Sequence, residues 1–351
     1  MGNPVFSIIV PAYNVECVLH EAIESVLNQD FNSFELIIIN DGSKDNTKKV
    51  ADSYAAKDNR VRVLNQNNGG ASSARNNGID HANGKYIAFL DSDDRYKKEY
   101  LSTMYRELHK GAELSVCGFD LFKNGRKCSS ICYFEGDSRQ ITVVKYLEQM
   151  LQYHDQAYWG ANWNKVYSAD IIKKNKIYFQ EGISIGEDLY FNLCYLQYIK
   201  RVNLVVNSLY EYEAATVDSL SKQKRSAFDY CKQYALISER YVRLCSPYSS
   251  QIENFEKMMD RFVNLSIWDT AWTGFVGSHF SCSHIHKVND DIREKFGDLY
   301  EDKGFVASKG MVAKFVWLTF NRMDTAAWII LLMENSKRAL MKIIRRNLQR
   351  G

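Results

Sequence analysis

The stretch Tyr86-Ile87-Ala88-Phe89-Leu90-Asp91-Ser92-Asp93-Asp94 decides how this chain is read. Its first five residues are apolar without polar alternation, as in a strand buried on both faces. Carboxylates crowd at the strand's end and repel one another, so a fold keeps them there only with compensation. For oxygen ligands the usual compensation is a hard divalent cation. In extended geometry residues i and i+2 face the same side, so Asp91 and Asp93 can share one ion. A cation held with part of its shell open suits a ligand that brings its own phosphates. The tetrapeptide therefore points to metal-assisted chemistry on a phosphorylated ligand.

Outward from this stretch, strand and helix signals alternate. Phe6 to Val10, Glu35 to Ile39, Val61 to Leu64 and Leu114 to Val116 are further short apolar runs rich in Ile and Val. Helical patterns over Val18 to Asn28, Asp45 to Lys57, Ala71 to Ala82 and Lys97 to Lys110 separate them. Unalternated apolar strands between helices predict an α/β domain with a doubly wound, mostly parallel sheet. Ligands of such sheets bind at the carboxyl ends of the strands. Three of these ends carry polar clusters: Pro11-Ala12-Tyr13-Asn14, Asn40-Asp41-Gly42-Ser43 and Asp91-Ser92-Asp93-Asp94. One polar tip alone is a turn; three on one sheet edge form a site.

Composition sets the frame. At 351 residues the chain has room for two domains. We expect a catalytic domain over 1–225 and a mainly helical C-terminal region over 226–351, because the pattern beyond about Ser226 turns helical. A net charge of +3 gives no argument for nucleic acid. The basic residues instead gather at the end, from Lys337 to Arg350. The eight cysteines are scattered, with Cys128 and Cys132 the one close pair, as expected of free thiols in a reducing cytoplasm. No signal-peptide pattern precedes the first strand. The apolar run from Ala326 to Met333 is far short of the roughly 20 residues of a membrane-spanning helix.

Four blocks in order, Ser7-Ile8-Ile9-Val10-Pro11-Ala12-Tyr13-Asn14, Asn40-Asp41-Gly42-Ser43, Asp91-Ser92-Asp93-Asp94 and Gly186-Glu187-Asp188, resemble those of family 2 glycosyltransferases. Asn68-Gly69-Gly70-Ala71-Ser72-Ser73-Ala74-Arg75-Asn76 is also typical of that family. The resemblance covers roughly residues 4 to 225 and includes bacterial enzymes of capsular and other surface polysaccharide synthesis. It implies the GT-A fold, an inverting transfer, a nucleotide-sugar donor such as a UDP-sugar, and Mn²⁺ or Mg²⁺.

By resemblance, Pro11, Ala12, Tyr13 and Asn14 cradle the nucleotide, and Asp41 accepts the imide N–H of uracil. A plain strand-to-helix turn, and a cap of the following helix by Asp41 and Ser43, are the simpler alternatives. Gly70, Arg75 and Asn76 contact the nucleotide-sugar in the family, and glycines let a ligand approach the backbone. The segment is neither a Walker loop nor a dinucleotide-binding fingerprint. Of the acids, Asp91 lies by the ribose and Asp93 holds the metal, with Ser92 between them, while Asp94 faces the donor sugar or the acceptor. An EF-hand is excluded, since Tyr96 and Ser102 stand where its loop needs Gly and Glu.

Acids at a helix start are favoured by the helix N-terminus, which alone would explain Glu187 and Asp188. By resemblance Asp188 is the general base. Adjacent helical residues point about 100° apart, which leaves Glu187 to bind acceptor hydroxyls or orient the site. Trp159, Trp163 and Lys165 are candidates for sugar or acceptor contact, with core packing the alternative. Ser221, Lys222 and Arg225 could close on the diphosphate as a basic loop, or form a solvated hinge. His279, Cys282, His284 and His286 have zinc-ligand side chains at a spacing that matches no familiar site.

The tail from about Met311 to Arg350 mixes tryptophans with basic residues. It reads as a segment lying on an anionic membrane surface, or as a helix packed on the domain or a second subunit. The expected whole is a cytoplasmic or peripheral membrane enzyme that glycosylates a glycan or lipid-linked acceptor. Two rivals stand beside it. One is a haloacid-dehalogenase-type phosphatase, although Arg95 replaces that signature's Thr or Val. The other is a non-catalytic subunit that binds nucleotide-sugar.

Overall fold

The computed structural model describes residues 3–132, 134, 136–153, 156–183, 186–214 and parts of 233–255. The chain divides into two compact units, one of Met1–Lys222 with Leu244–Glu253 and one of Gln223–Arg243 with Asn254–Gly351. All the elements below belong to the first. The expected loop at Ser221, Lys222 and Arg225, the His279 to His286 cluster and the basic tail lie outside the described residues.

The expected alternation is present. Strand β1 (Phe6–Ala12) is followed by α1 (Leu19–Leu27), β2 (Phe34–Asp41), α2 (Thr47–Ala55), β3 (Val61–Gln66), α3 (Gly70–His81) and β4 (Tyr86–Phe89). Next come β5 (Arg95–Tyr96), α4 (Tyr100–Leu108), β6 (Leu114–Lys123), β7 (Arg126–Ile131) and β8 (Arg139–Thr142). Helices α5 (Val143–Tyr153) and α6 (Gln156–Gly160) precede β9 (Lys165–Ser168), α7 (Ala169–Lys174), α8 (Glu187–Leu196) and β10 (Arg201–Glu213).

The sheet runs β3-β2-β1-β4-β9-β6-β10-β5, with β7 on β6 and β8 on β10. Its first four strands are all parallel. Strand β9, antiparallel to both β4 and β6, lies between them. β6 and β10 are again parallel. So β1, β2, β3, β4, β6 and β10 point one way, and their carboxyl ends share one edge.

Local sequence explains these elements. Ile8, Ile9, Val10, Ile37, Ile38, Ile39 and Ile87 are fully buried, as strands covered on both faces require. Each such side chain contributes about 1.5–3 kcal/mol on burial. Helix α1 buries Leu19, Ala22, Ile23 and Val26, one stripe at 3–4-residue spacing. Helix α3 lies close on β1 because residue 78 is glycine: a Cβ there would come 2.4 Å from the Ile9 Cγ2. That approach sets where Arg75, one turn earlier, arrives at the sheet.

At the opposite edge the buried Glu35 ties the strands together. It accepts hydrogen bonds from Ser7 Oγ at 2.7 Å, from the Asn83 main-chain N–H at 2.6 Å and from Arg62 Nη1. Burial alone would raise this carboxyl, but the hydrogen bonds from Ser7, Asn83 and Arg62 outweigh it and hold it below its ordinary value of 4.5. A depressed carboxyl stabilises the fold above its unfolded pKa and loses that contribution as pH falls through the folded one. Glu35→Gln is therefore expected to cost about 1–3 kcal/mol at neutral pH. In denaturant titrations the gap from the parent chain should close as pH drops below 4.5.

Candidate functional site

The site forms where β1, β2 and β4 end, opposite the start of α8. Beyond β1, Tyr13 is 44% exposed and Asn14 takes a left-handed backbone with φ of 53°. Asn14 is pinned to the β2 turn: its N–H donates to Ser43 Oγ at 3.1 Å, and its Oδ1 accepts from the Lys44 N–H at 2.9 Å. Pro11 and Ala12 belong to β1 itself, in register with Ile39 and Asn40.

Asp41 is 3% exposed and reaches across to α3. Its Oδ1 accepts from Gly69 N–H at 2.8 Å and Gln66 Nε2 at 2.9 Å, and its Oδ2 from Gly70 N–H at 2.8 Å. The expected alternative of a cap on the following helix is thus corrected: Asp41 caps α3, and α2 has no side-chain cap at Asn46. Gly70 is needed there for its backbone, since φ is +85° while a Cβ would meet open space. A carboxylate has about four lone-pair sites. The three bonds leave Asp41 one on Oδ2.

Arg75 is the centre of the site. Its side chain is 6% exposed, with Nη2 2.9 Å from Asp91 Oδ1 and Nη1 3.2 Å from Asp188 Oδ1 and 3.6 Å from Glu187 Oε1. The guanidinium also lies over the Phe179 ring, 5.3 Å from its centroid. Burial acts to lower its basicity, but the three carboxylates more than reverse this and raise it. Glu187 and Asp188, on different sides of the first turn of α8, both reach this one cation. Asn76, the next residue, is tied to the segment below Arg75: its carboxamide exchanges two hydrogen bonds with the Phe179 main chain, at 2.9 and 2.8 Å.

The acidic tetrapeptide separates by role. Asp91 is held by Arg75. Asp94 is 1% exposed, accepting from Tyr210 O–H at 2.6 Å and Glu213 N–H at 2.7 Å, which fastens the turn to β10. Burial, then the charges of Asp91 and Asp93, keep its carboxyl well above the usual range. Asp93 is exposed, and among the described residues it has no cation beside it. Its carboxyl is nevertheless pushed up to about 6, first by partial withdrawal from water and then by the charge of Asp91. Ser92 is half-buried between them.

Asp188 is pushed up to about 7 because withdrawal from water, Glu187 and Asp91 together outweigh Arg75. Its other partner is Asn162, whose Nδ2 donates to Asp188 Oδ1 at 3.0 Å. Sequence reading did not single out Asn162. The signal was present as Asn162, Asn164 and Lys165, polar residues in a segment that proves fully buried.

The expected aromatic contacts lie inside the domain. Trp159 is 3% and Trp163 5% exposed, and Trp163 stacks on Tyr210 with centroids 4.4 Å apart. Lys165 is fully buried; its Nζ donates to Ala161 O at 2.6 Å, Asn164 Oδ1 at 2.8 Å and Tyr158 O at 3.0 Å. Burial pushes this ammonium down to about 7, against the field of Asp188.

No group of three or more His, Cys, Asp or Glu side chains among the described residues is arranged around a metal position. The donor types at Asp91 and Asp93, hard carboxylate oxygens with one left uncompensated, do fit a hard divalent cation. The described cysteines, including Cys128 and Cys132, are free thiols. No described helix is long and apolar enough to cross a membrane.

Residues 7–165 match the profile described as glycosyl transferase family 2. An uncharacterized glycosyltransferase of Bacillus subtilis, EpsJ, is 33% identical over 250 residues, 66% of this chain and 71% of that protein. A Campylobacter jejuni relative described as GalNAc(5)-diNAcBac-PP-undecaprenol β-1,3-glucosyltransferase is 28% identical over 291 residues, 74% of this chain and 90% of that protein. The crystal structure of S. aureus TarS residues 1–349 in complex with UDP-GlcNAc aligns with a TM-score of 0.70 at 20% identity, over 95% of this chain and 91% of that one. The chain belongs to glycosyltransferase family 2, an enzyme family that transfers sugars, on the GT-A fold. Membership sets aside the phosphatase alternative.

Removing Arg75 leaves Asp91, Glu187 and Asp188 facing one another without a cation. Arg75→Met is expected to destabilise the fold by about 3–5 kcal/mol near pH 8, the usual cost of breaking a buried ion pair from one side. Without the guanidinium the acids bind protons more readily in the fold, so the deficit should shrink on acidification to pH 5. Thermal melts across that range provide the check; a pH-independent deficit would refute the shared-cation account.

Proposed function

We propose that this protein is an inverting glycosyltransferase. It moves a sugar from a UDP-sugar to a hydroxyl of a glycan or lipid-linked acceptor, in the synthesis of bacterial surface polysaccharide or glycoconjugate. The observation that carries this reading is the pairing of two acidic groups across Arg75. Asp91 and Asp93 lie at the strand ends, and Glu187 and Asp188 lie at the start of α8. This division suits a reaction with a leaving diphosphate on one side and a proton to remove on the other.

Asp188 takes the proton of the acceptor hydroxyl. The freed oxygen attacks the anomeric carbon, the bond from that carbon to the diphosphate oxygen breaks with its electron pair, and UDP leaves from the opposite face. The anomeric configuration is thereby inverted. A proton acceptor works best with a pKa near the operating pH, and Asp188 at about 7 meets that condition. Glu187 orients the site or binds acceptor hydroxyls. On this reading Tyr13 and the remaining lone pair of Asp41 would meet the uracil base. Asp93 and Asp91 would hold Mn²⁺ or Mg²⁺, which when bound neutralises charge gathering on the diphosphate. UDP is favoured as carrier by the UDP-GlcNAc-bound neighbour, and a lipid-linked acceptor by the undecaprenol-linked substrate named for the Campylobacter relative.

The test is UDP release from a panel of nucleotide-sugars with Mn²⁺. Asp188→Asn should abolish turnover while UDP affinity, measured by calorimetry, stays within about threefold, because only the base is lost. Asp93→Ala should instead weaken Mn²⁺-dependent UDP binding. A base must be deprotonated to act, so the rate should rise with pH through about 7. Full activity of the Asp188 variant would end this mechanism.

A further inference from the structure

We propose that Asn162 is a positioning residue for the proton acceptor, fixing the carboxylate of Asp188 through a buried platform that joins the α6–β9 connection to α8. The inference rests on the reading of Asp188 as base. Asn162 is fully buried, and its Nδ2 donates to the same Asp188 oxygen that faces Arg75, at 3.0 and 3.2 Å. One donor comes from α3 and the other from the α6–β9 connection, so together they set both the position and the rotation of the carboxyl. The Asn162 main-chain N–H also faces this carboxylate and favours its charged form.

The second observation is the other end of the carboxamide. Asn162 Oδ1 is buried with no hydrogen-bond partner among the described residues. Turning the amide over would set that oxygen against the carboxylate, so the N–H stays on Asp188 and the carbonyl is left unsatisfied. Buried orphan acceptors are uncommon in folded proteins, because each carries an uncompensated desolvation cost. Tolerating one here indicates that the contact with Asp188 is what the side chain serves.

The third is the platform beneath it. Lys165 Nζ gathers the carbonyls of Tyr158 and Ala161, at 3.0 and 2.6 Å. Asn192 Nδ2 donates to Gly160 O at 2.6 Å and Ala161 O at 3.1 Å, and Tyr167 O–H donates to Asn192 Oδ1 at 2.6 Å. Asn192 is four residues after Asp188 on α8, hence on the same helix face. The helix that carries the base is therefore fastened directly to the segment that carries its partner, and the two move together.

The charged and titratable groups facing Asp188 are Arg75 from α3, Glu187 on its own helix, Asp91 beyond β4, and Lys165 and Tyr167 from β9. Asn162→Leu keeps the volume and removes the neutral donor. With the nucleotide-sugar selected by the UDP-release panel, kcat should fall about tenfold or more while donor KM stays within about twofold, as for other partners that orient a catalytic group. The acidic limb of the pH profile should move upward, since the charged carboxylate loses a hydrogen bond; packing loss alone would not move it. Asn162→Asp should move it further, by like charge. An unchanged kcat and an unmoved limb in the Leu variant overturn the proposal. If that variant fails to fold by circular dichroism, Asn162→Ser provides the same limb measurement. An active Asp188→Asn enzyme would overturn the base reading itself; an inactive one beside an unaffected Asn162→Leu overturns only the positioning role.

Discussion

A single guanidinium shared by three carboxylates is the constraint on which the rest of the site depends. Arg75 is almost wholly withdrawn from water, yet Asp91, Glu187 and Asp188 all lie within 3.6 Å of its nitrogens. An ion buried this way is expensive to desolvate and repays the cost only through close partners. Its partners come from two separated parts of the chain, the end of β4 and the start of α8, so none can shift without disturbing the others. Even so, acid exceeds base here. Asp93 has no cation beside it among the described residues, and both Asp93 and Asp188 sit above the ordinary carboxylate range. On the proposed reading this excess is relieved by a divalent cation and by a proton passing through Asp188.

The surrounding scaffold serves that arrangement. The parallel order β3-β2-β1-β4 brings the ends of β1, β2 and β4 side by side. Asp41 draws the start of α3 onto the tip of β2, and Gly78 lets the same helix lie flat on Ile9. Asp94, held by Tyr210 and Glu213, braces the acidic turn from the far half of the sheet. Each support is a buried polar contact or a close approach, and both depend strongly on geometry.

Much of this was readable before folding because it is local. Buried strands announce themselves as unbroken apolar runs, and carboxylates at a strand tip or a helix start announce a concentration of charge. Other residues were harder to place because their meaning lies in what they meet. Asn76 looks like a ligand contact in the sequence and is held by the Phe179 main chain. Trp163 and Lys165 read in the sequence as sugar contacts or as core, and they lie in the interior. Asn162 looked like nothing in particular and proves to touch Asp188, 26 residues further on.

The sequence by itself determined the α/β class, the acidic blocks and their order, and through them the family. Those properties follow from hydrophobic period and from side-chain type at short spacing. Only the tertiary structure decided which acid pairs with which cation, that Asp41 caps α3, and that Asp94 braces while Asp93 stays open. The physical reason is range: charge pairing and hydrogen bonding act over a few ångströms. Their partners here lie up to 119 residues apart along the chain. No local pattern encodes such a meeting until the sheet has set the strand ends side by side.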